Sequence, residues 1–342
     1  MNSTNGVRTR AIIFSAPGQV TLVERDLEAP AAGQLLVRTV CTLISPGTES
    51  TVLHQRWAPD THWARWGRFP FTPGYSLVGV VEAVGEGVTG WKPGDRVAAR
   101  APHASHVLVP AAWAVPIPPE VTDAQAAWMA LGKIVQVGVR AAQHVLGDAV
   151  AVVGCGPLGQ LAVQYARLSG ARAVVAIDTI PARLELARRL GATATSLGTA
   201  QQAIDNVRAA ATPAGGADVV YDATGHPAAF AQCLTLARRF GTVVLLGDAG
   251  DPRQQTLTPE VITRGLHIVG AHDGHPPLEL PPGQPGWTAS AMMSLVLRYL
   301  ADGRLQVDPL ISHRFAPEQA AEAYRILSEQ RDRTMGVLFT WQ

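Results

Sequence analysis

The chain has 342 residues, of which 47% are hydrophobic and 16% charged, with a formal net charge of +1. That length suggests about two domains, with ample apolar material for a core in each. The near-zero charge gives no electrostatic case for nucleic acid or a membrane surface. No apolar run approaches the roughly 18 residues of a membrane span, and the opening stretch Met1–Arg10 is polar, with no apolar signal region. The three cysteines, Cys41, Cys155 and Cys233, lie far apart with no Cys-x-x-Cys pair. This predicts a reducing, cytoplasmic setting, no disulfide framework and no cysteine-rich zinc site.

The first 120 or so residues read as β-rich. Ala11–Phe14, Val20–Val23 and Gln34–Val40 are short apolar or alternating runs between Pro/Gly turns, and Val78–Val84 and Asp95–Ala99 continue the pattern. A small, irregular barrel-like domain is expected. From Ala124 to Val145 the spacing is helical, and βαβ alternation follows. Leu158, Leu161, Ala162, Tyr165 and Leu168 share one helical face; Pro181 suits a helix start and Gly191 a helix end. Ala217–Asp222 and Gly241–Leu246 are expected strands, with a helix from His226 to Phe240 between them and a last strand at Leu266–Gly270. Gly274–Gly286 reads as a loop, and Thr288–Ala301 as a helix. The tail, through Phe315 and Gly336–Phe339, is expected to return to the first domain.

The richest segment is Val150–Gly159, an apolar run breaking into Gly154-x-Gly156-x-x-Gly159. A second apolar run, Ala173–Ile177, then ends on Asp178. Strand, glycine turn, helix, strand and acid in this order are the layout of a dinucleotide-binding unit. Gly154 permits the tight turn, Gly156 lets the backbone approach a pyrophosphate, and Gly159 lets the helix pack on the sheet. The helix start at Pro157 and Leu158 offers unpaired N–H groups and a positive dipole end to the anion. Asp178 can accept hydrogen bonds from ribose hydroxyls and repels a 2′-phosphate, so NAD is expected over NADP. Arg183 softens that preference if it reaches the site, but a helix-surface position is the expectation. Thr179, Thr224, Gly225, Leu246, Gly247 and Ala271 complete the expected cofactor contacts.

Over nearly its whole length the chain resembles the medium-chain dehydrogenase/reductase family, which contains the zinc alcohol dehydrogenases. Pro73–Gly85, Val88–Val97, the glycine turn, Asp178 and Pro309–Phe315 carry the likeness in family order. The resemblance implies an α/β fold: a GroES-like β-rich catalytic domain plus a doubly wound, parallel-sheet Rossmann domain. It places the catalytic domain's first part at 1–125, the Rossmann NAD-binding domain at 126–273, and a loop and return to the catalytic domain at 274–342. Departures from the family pattern are equally specific. Pro46 stands where the catalytic zinc's cysteine falls, Tyr75 and Ser76 replace its histidine and glutamate, and Met129–Leu131 carries no third ligand. The four-cysteine zinc lobe is missing between Arg96 and Val115. Zinc needs three or four N, S or O ligands, so no metal is expected. Ile44-Ser-Pro-Gly-Thr-Glu49 is similar to family members grouped with sugar oxidoreductases and with a bacteriochlorophyll-pathway dehydrogenase.

Without zinc, side chains must take the hydroxyl proton and polarise the carbonyl oxygen. Thr48 matches the family position that passes a proton towards solvent, and an ordinary turn threonine is the plain alternative. Tyr75 either donates to a substrate oxygen or fills the space left by zinc. Glu49 either binds a substrate hydroxyl or caps the next helix. Lys133 sits in a mostly apolar run that the family places beside the nicotinamide; it serves as acid and base, or reaches solvent along its stem. His103 aligns with the wall of the family's substrate cleft, while His106 reads as strand-facing. The loop histidines His272 and His275, with His267, lack a known zinc spacing. In His54–Phe71, Trp57, Trp63 and Trp66 interleave with Arg56, Arg65 and Arg68, which suits stacking on a sugar or packing on the barrel.

The expected protein is a zinc-independent NAD(H)-dependent oxidoreductase interconverting a secondary alcohol (a sugar, polyol or similar) and its ketone. It acts on a small molecule, without nucleic acid or membrane partners, and family habit implies a homodimer or homotetramer. Three alternatives stay open: a quinone or enone reductase, an epimerase or lyase with permanently bound NAD, and a catalytically silent nucleotide-binding protein.

Overall fold

The computed structural model describes residues 7–281 and 284–341. The polar residues Met1–Gly6, and Pro282 and Gly283 of the expected loop, lie outside them. In chain order come β1 (Val7–Ala16), β2 (Gln19–Leu27), β3 (Gln34–Leu43), α1 (Pro46–Leu53), α2 (His62–Trp66), β4 (Leu77–Val84), β5 (Arg96–Ala99), β6 (His106–Pro110), β7 (Ala114–Pro116), α3 (Asp123–Ala126) and α4 (Met129–Ala142). Next are β8 (Ala149–Val153), α5 (Pro157–Leu168), β9 (Ala173–Asp178), α6 (Pro181–Arg189), β10 (Ala194–Leu197), α7 (Ile204–Ala210), β11 (Ala217–Asp222), α8 (Pro227–Leu236), β12 (Ala237–Leu245), α9 (Glu260–Thr263) and β13 (His267–Gly270). The chain closes with α10 (Ala289–Ala301), β14 (Ile311–Phe315), α11 (Ala320–Glu329) and β15 (Gly336–Thr340).

These elements form two compact units. The first comprises Met1–Arg56, His62–Leu131 and Pro276–Gln342. Its sheet runs β14-β15-β3-β4-β5-β7, with β6 also pairing to β3, and β1 and β2 form a separate hairpin. Alternating apolar residues of these strands, among them Leu35, Val37, Leu77, Val97 and Val107, bury one core. The chain's last strand is part of it: Leu338 of β15 pairs with Leu43 of β3.

The second unit comprises Trp57–Thr61 and Gly132–His275. Its six strands, ordered β10-β9-β8-β11-β12-β13, pair in parallel throughout. The order reverses between β8 and β11, which marks the switch point where doubly wound sheets bind ligands at the carboxyl ends of their strands. Proline stands in the first turn of α5, α6 and α8, where its missing N–H costs no helical bond. Strands β8 and β9 are buried at every position, which explains their unbroken apolar sequence.

Three expectations change. The helical run from Ala124 to Val145 is two helices, α3 and α4, with Trp128 fully buried at the break. The helix expected over His226–Phe240 stops at Leu236, and Ala237 already pairs with Ala217 in the parallel ladder. Two carbonyls at that junction, of Thr235 and Ala237, accept from the Arg264 guanidinium, so the helix end is satisfied from outside the segment. The short strands β6, β7 and β10 had no separate sequence signal, and β10 is the polar run Ala-Thr-Ser-Leu. Among the described residues no helix is long and apolar enough to cross a membrane.

In the second unit, His144 Nδ1 faces Asp148 at 3.3 Å and Nε2 meets the Tyr221 hydroxyl at 2.6 Å. The carboxylate only accepts, so Nδ1 carries the hydrogen and Tyr221 donates to Nε2. Burial holds His144 below its ordinary pKa of 6.5, against the opposing pull of Asp148. The unfolded chain therefore takes up this proton first as pH falls, and the fold loses stability from about pH 6.5 downward. Replacing His144→Gln should flatten the decline of Tm between pH 7 and 5, measured by thermal unfolding; an unchanged slope would show that His144 does not titrate as described.

Candidate functional site

The second unit holds a dinucleotide cradle. Gly154 ends β8 at φ +88°, a left-handed conformation that favours glycine. An added Cβ at Gly159 would overlap the Gly154 carbonyl oxygen, so α5 can lie this close to the turn only without a side chain. Gly156 differs: the nearest heavy atom to an added Cβ is Arg183 Nη1, 3.9 Å away. Gly156 is also the N-cap of α5 and gives no side-chain acceptor to the helix's first N–H groups. A helix of 12 residues with an uncapped start and open space before it is a fitting seat for a pyrophosphate.

Asp178 closes β9 and is 7% exposed. Its Oδ2 accepts from the Cys155 N–H at 2.7 Å and its Oδ1 from the Ile180 N–H at 2.9 Å. Each carboxylate oxygen keeps a further lone pair for a ligand hydroxyl. Thr179 is exposed beside it. Arg183 is not the surface residue expected: its side chain is 14% exposed and folds back to within 3.8 Å of Asp178 Oδ2. Thr224 and Gly225 follow β11, with Thr224 held by Asp222 through both its N–H and its hydroxyl. Gly247, after β12, packs so closely on Gly225 that a Cβ would strike its nitrogen. Leu246 is buried, and Ala271 follows β13. Thus Gly154, Thr224, Gly225, Leu246, Gly247 and Ala271 all stand at the carboxyl edge of one sheet.

Lys133 is also in this unit. It is 1% exposed, so the solvent-reaching expectation fails. Its Nζ donates to the backbone oxygen and to Oδ1 of Asp273, both at 2.9 Å. That pairing fixes the start of the loop after β13. His272 and His275 point their Nδ1 atoms at the backbone of the same loop.

In the first unit the hydroxyls of Ser45, Thr48 and Tyr75 come together. Tyr75 donates to Ser45 Oγ and lies 3.4 Å from Thr48 Oγ1, while the Arg100 guanidinium stacks 4.8 Å over its ring. Thr48 and Tyr75 are half-buried. Burial, the largest influence, pushes the Tyr75 phenol above its ordinary pKa, and the neighbouring hydroxyls and Arg100 only partly offset this. Tyr75 is therefore a neutral hydrogen donor through the physiological range.

Glu49 and His103 are not beside these hydroxyls but behind them, 1% and 0% exposed. Glu49 lies inside α1, and its Oε1 accepts from Ser45 N–H at 2.7 Å, at the start of that same helix. Its Oε2 accepts from His103 Nε2 at 3.0 Å and from Tyr324. Tyr324, on α11, had no local signal marking it. Ser76 is turned away to the Ala127 carbonyl. His106 lies on β6, 3.5 Å from Glu82. Trp63 is buried, whereas Trp66 is half exposed and Arg56, Arg65 and Arg68 are exposed. Only Trp66 of that pair presents a face for stacking.

The zinc implied by the family pattern does not fit these side chains. The nearby Glu49 carboxylate is taken up by Ser45, His103 and Tyr324, Cys41 is buried with its thiol pushed up to about 12 by burial, and the other two cysteines are buried too. Among the described residues no group of three or more His, Cys, Asp or Glu side chains could hold a metal ion.

A doubly wound sheet with a glycine turn, on a chain that also builds a β-rich GroES-like unit, defines a dehydrogenase architecture. Comparison with known proteins agrees. Residues 31–119 match the alcohol dehydrogenase GroES-like domain and residues 157–282 the zinc-binding dehydrogenase family. The L-threonine 3-dehydrogenase of Symbiobacterium thermophilum is 32% identical, over 78% of this chain and 81% of that one. A short chain alcohol dehydrogenase from E. coli CFT073, solved with NADH, shares the fold at TM-score 0.82 and 22% identity, covering 98% and 100% of the two chains. A zinc-binding dehydrogenase from Sinorhizobium meliloti 1021, solved with NADP, does so at TM-score 0.77 and 23% identity, covering 98% and 99%. The chain belongs to the medium-chain dehydrogenase/reductase family and is an alcohol dehydrogenase-like oxidoreductase.

Two glycine variants test the cradle. Gly159→Ala should destabilise the fold by roughly 1–3 kcal/mol through overpacking, read as a lower Tm. Gly156→Ala has room for its methyl and should keep the parent Tm while weakening dinucleotide binding about tenfold, as a methyl stands where the anion approaches. Equal Tm losses in both would contradict the assigned roles.

Proposed function

We propose that this chain is a zinc-independent, NAD-preferring dehydrogenase that interconverts a secondary alcohol, of polyol or sugar type, and its ketone. The observation that carries the reading is the open turn at Gly156 with the Asp178 carboxylate beside it. Gly156, Leu158 and the start of α5 would hold the pyrophosphate, and Asp178 the adenosine ribose. A nicotinamide dinucleotide supplies hydride exchange with the substrate carbon. The protein's part is to bind, orient and handle the proton. Tyr75 offers its hydrogen, otherwise given to Ser45 Oγ, to the substrate oxygen, which gains charge in the reducing direction, and the Ser45 hydroxyl turns to donate in its place. Thr48 and Ser45, each donor and acceptor, continue the path. Lys133 is assigned to holding the loop after β13 rather than to proton transfer, because its buried Nζ donates to both the backbone oxygen and the carboxylate of Asp273. Among the described residues no three His, Cys, Asp or Glu side chains converge as metal ligands, which supports zinc independence, and the half-exposed Trp66 suits a polyhydroxy substrate.

The preference for NAD rests on charge. Asp178 repels a 2′-phosphate, and Arg183, 3.8 Å away, partly offsets that repulsion. Asp178→Ala should weaken NADH binding about tenfold and narrow the gap to NADPH, whereas Arg183→Ala should widen it. Titrations of both cofactors, with metal analysis on the same sample and a screen of secondary alcohols and polyols, check the reading. One zinc per chain, or NADPH bound more tightly than NADH by the unaltered protein, would sink it.

A further inference from the structure

Glu49 and His103 bridge the two segments that carry the hydroxyl cluster. On one side, Glu49 Oε1 holds the Ser45 N–H at the start of α1. On the other, the His103 backbone N–H donates to Pro73 at 2.9 Å, and its ring lies so close to Gly74 that a Cβ there would overlap it. Gly74, at φ +97°, immediately precedes Tyr75. The bond from His103 Nε2 to Glu49 Oε2 therefore spans from the Ser45–Thr48 turn to the Gly74–Tyr75 turn. Tyr324 adds a second donor to the same oxygen from α11, and its ring packs edge-on against Phe14, 5.0 Å between centroids. His103 packs edge-on against Phe339 of β15 at 5.1 Å. A buried carboxylate is costly unless several donors satisfy it, and three do so here, each from a different part of the unit. The arrangement has few alternatives, because any shift of one segment leaves a buried charge short of a partner.

We propose that Glu49, His103 and Tyr324 form a buried positioning cluster that sets the distance between Thr48 and Tyr75. The cluster does not touch substrate; it acts through the two hydroxyls. This rests on the reading that Tyr75 and Thr48 handle the proton, and it assigns Tyr324 a part that local sequence does not show. Misplacing a donor by about an ångström costs up to roughly a hundredfold in rate, so the strut is where such a loss would arise without any change at the reacting groups.

The test uses the full chain labelled with 3-fluorotyrosine. Its five tyrosines give five fluorine signals, assigned by single Tyr→Phe variants. In Glu49→Gln, His103→Gln and Tyr324→Phe the Tyr75 signal should move. In Glu49→Gln its titration should shift to lower pH, because the Glu49 charge helps raise the Tyr75 pKa. Tyr221→Phe, which removes a buried phenol in the other unit, should leave the Tyr75 signal in place. Turnover of the alcohol found by screening should fall roughly tenfold in Glu49→Gln at unchanged NADH affinity, and the loss should vanish in a Tyr75→Phe background. A Tyr75 signal indifferent to both Glu49→Gln and Tyr324→Phe overturns the proposal, as does an equal response to Tyr221→Phe. Tyr324→Phe deletes one hydroxyl and keeps the ring, so it stands in if the charge variants fail to fold. If the signal responds but Tyr75→Phe leaves turnover unchanged, the strut stands and the proton-handling reading of Tyr75 falls.

Discussion

The N–H of Cys155 donates to the Asp178 carboxylate at 2.7 Å, and the dinucleotide cradle depends on that bond. It joins the turn after β8 to the end of β9, neighbouring strands of the parallel sheet. The carboxylate is buried, so it needs donors, and the turn supplies one. The turn is glycine-rich, so it needs an anchor, and the carboxylate supplies it. The charge that would select the ribose is the same charge that shapes the turn. A change at Asp178 therefore acts on the turn's geometry as well as on cofactor choice. Arg183, drawn onto this carboxylate, shows how far local electrostatics can pull a side chain from the helix surface.

The first unit repeats the logic with different groups. Glu49 is a buried carboxylate satisfied by a backbone N–H, an imidazole and a phenol. Behind the positions Pro46 and Tyr75, where the family pattern leads one to expect metal ligands, this chain has a carboxylate and its donors. Metal and carboxylate are both central charges that gather loops from separate parts of a sheet. A metal also polarises a substrate oxygen, which a buried carboxylate cannot do, so on the proposed zinc-independent reading that work falls to a neutral donor in front of it. Tyr75, kept protonated by burial, has the right chemistry.

The centre of the parallel sheet was legible because β8 and β9 are buried on both faces and begin as unbroken apolar runs, and because the glycine spacing reports backbone geometry directly. The end of α8 was not. Thr235 to Phe240 carries nothing that forbids a helix, and the competing parallel ladder, Ala217 to Ala237, depends on a strand 20 residues away. Site partners were hidden for the same reason. Lys133 finds Asp273 across 140 positions, and Glu49 finds His103 across 54 and Tyr324 across 275. A lysine in an apolar run signals that something must pair with it, but the run does not name the partner. Likewise the bond from the Ser45 N–H to Glu49 is local, four residues apart, whereas the carboxylate's bonds to His103 and Tyr324 are not.

The pairing of Lys133 also bears on how proton transfer is divided. Lys133 donates to a carboxylate and a carbonyl, and giving up a proton would cost the ion pair with Asp273 that helps to fix the loop. The Tyr75 phenol has one hydrogen, given to Ser45 at rest; to donate elsewhere it must turn that bond round and accept from Ser45 or Thr48, whose hydroxyls can do either. The arrangement thus separates a rigid charged pair that shapes the loop after β13 from a neutral hydroxyl chain suited to exchange protons. On the proposed reading, the two kinds of polar group that the sequence alone left interchangeable as acid and base differ in what each would lose on reacting.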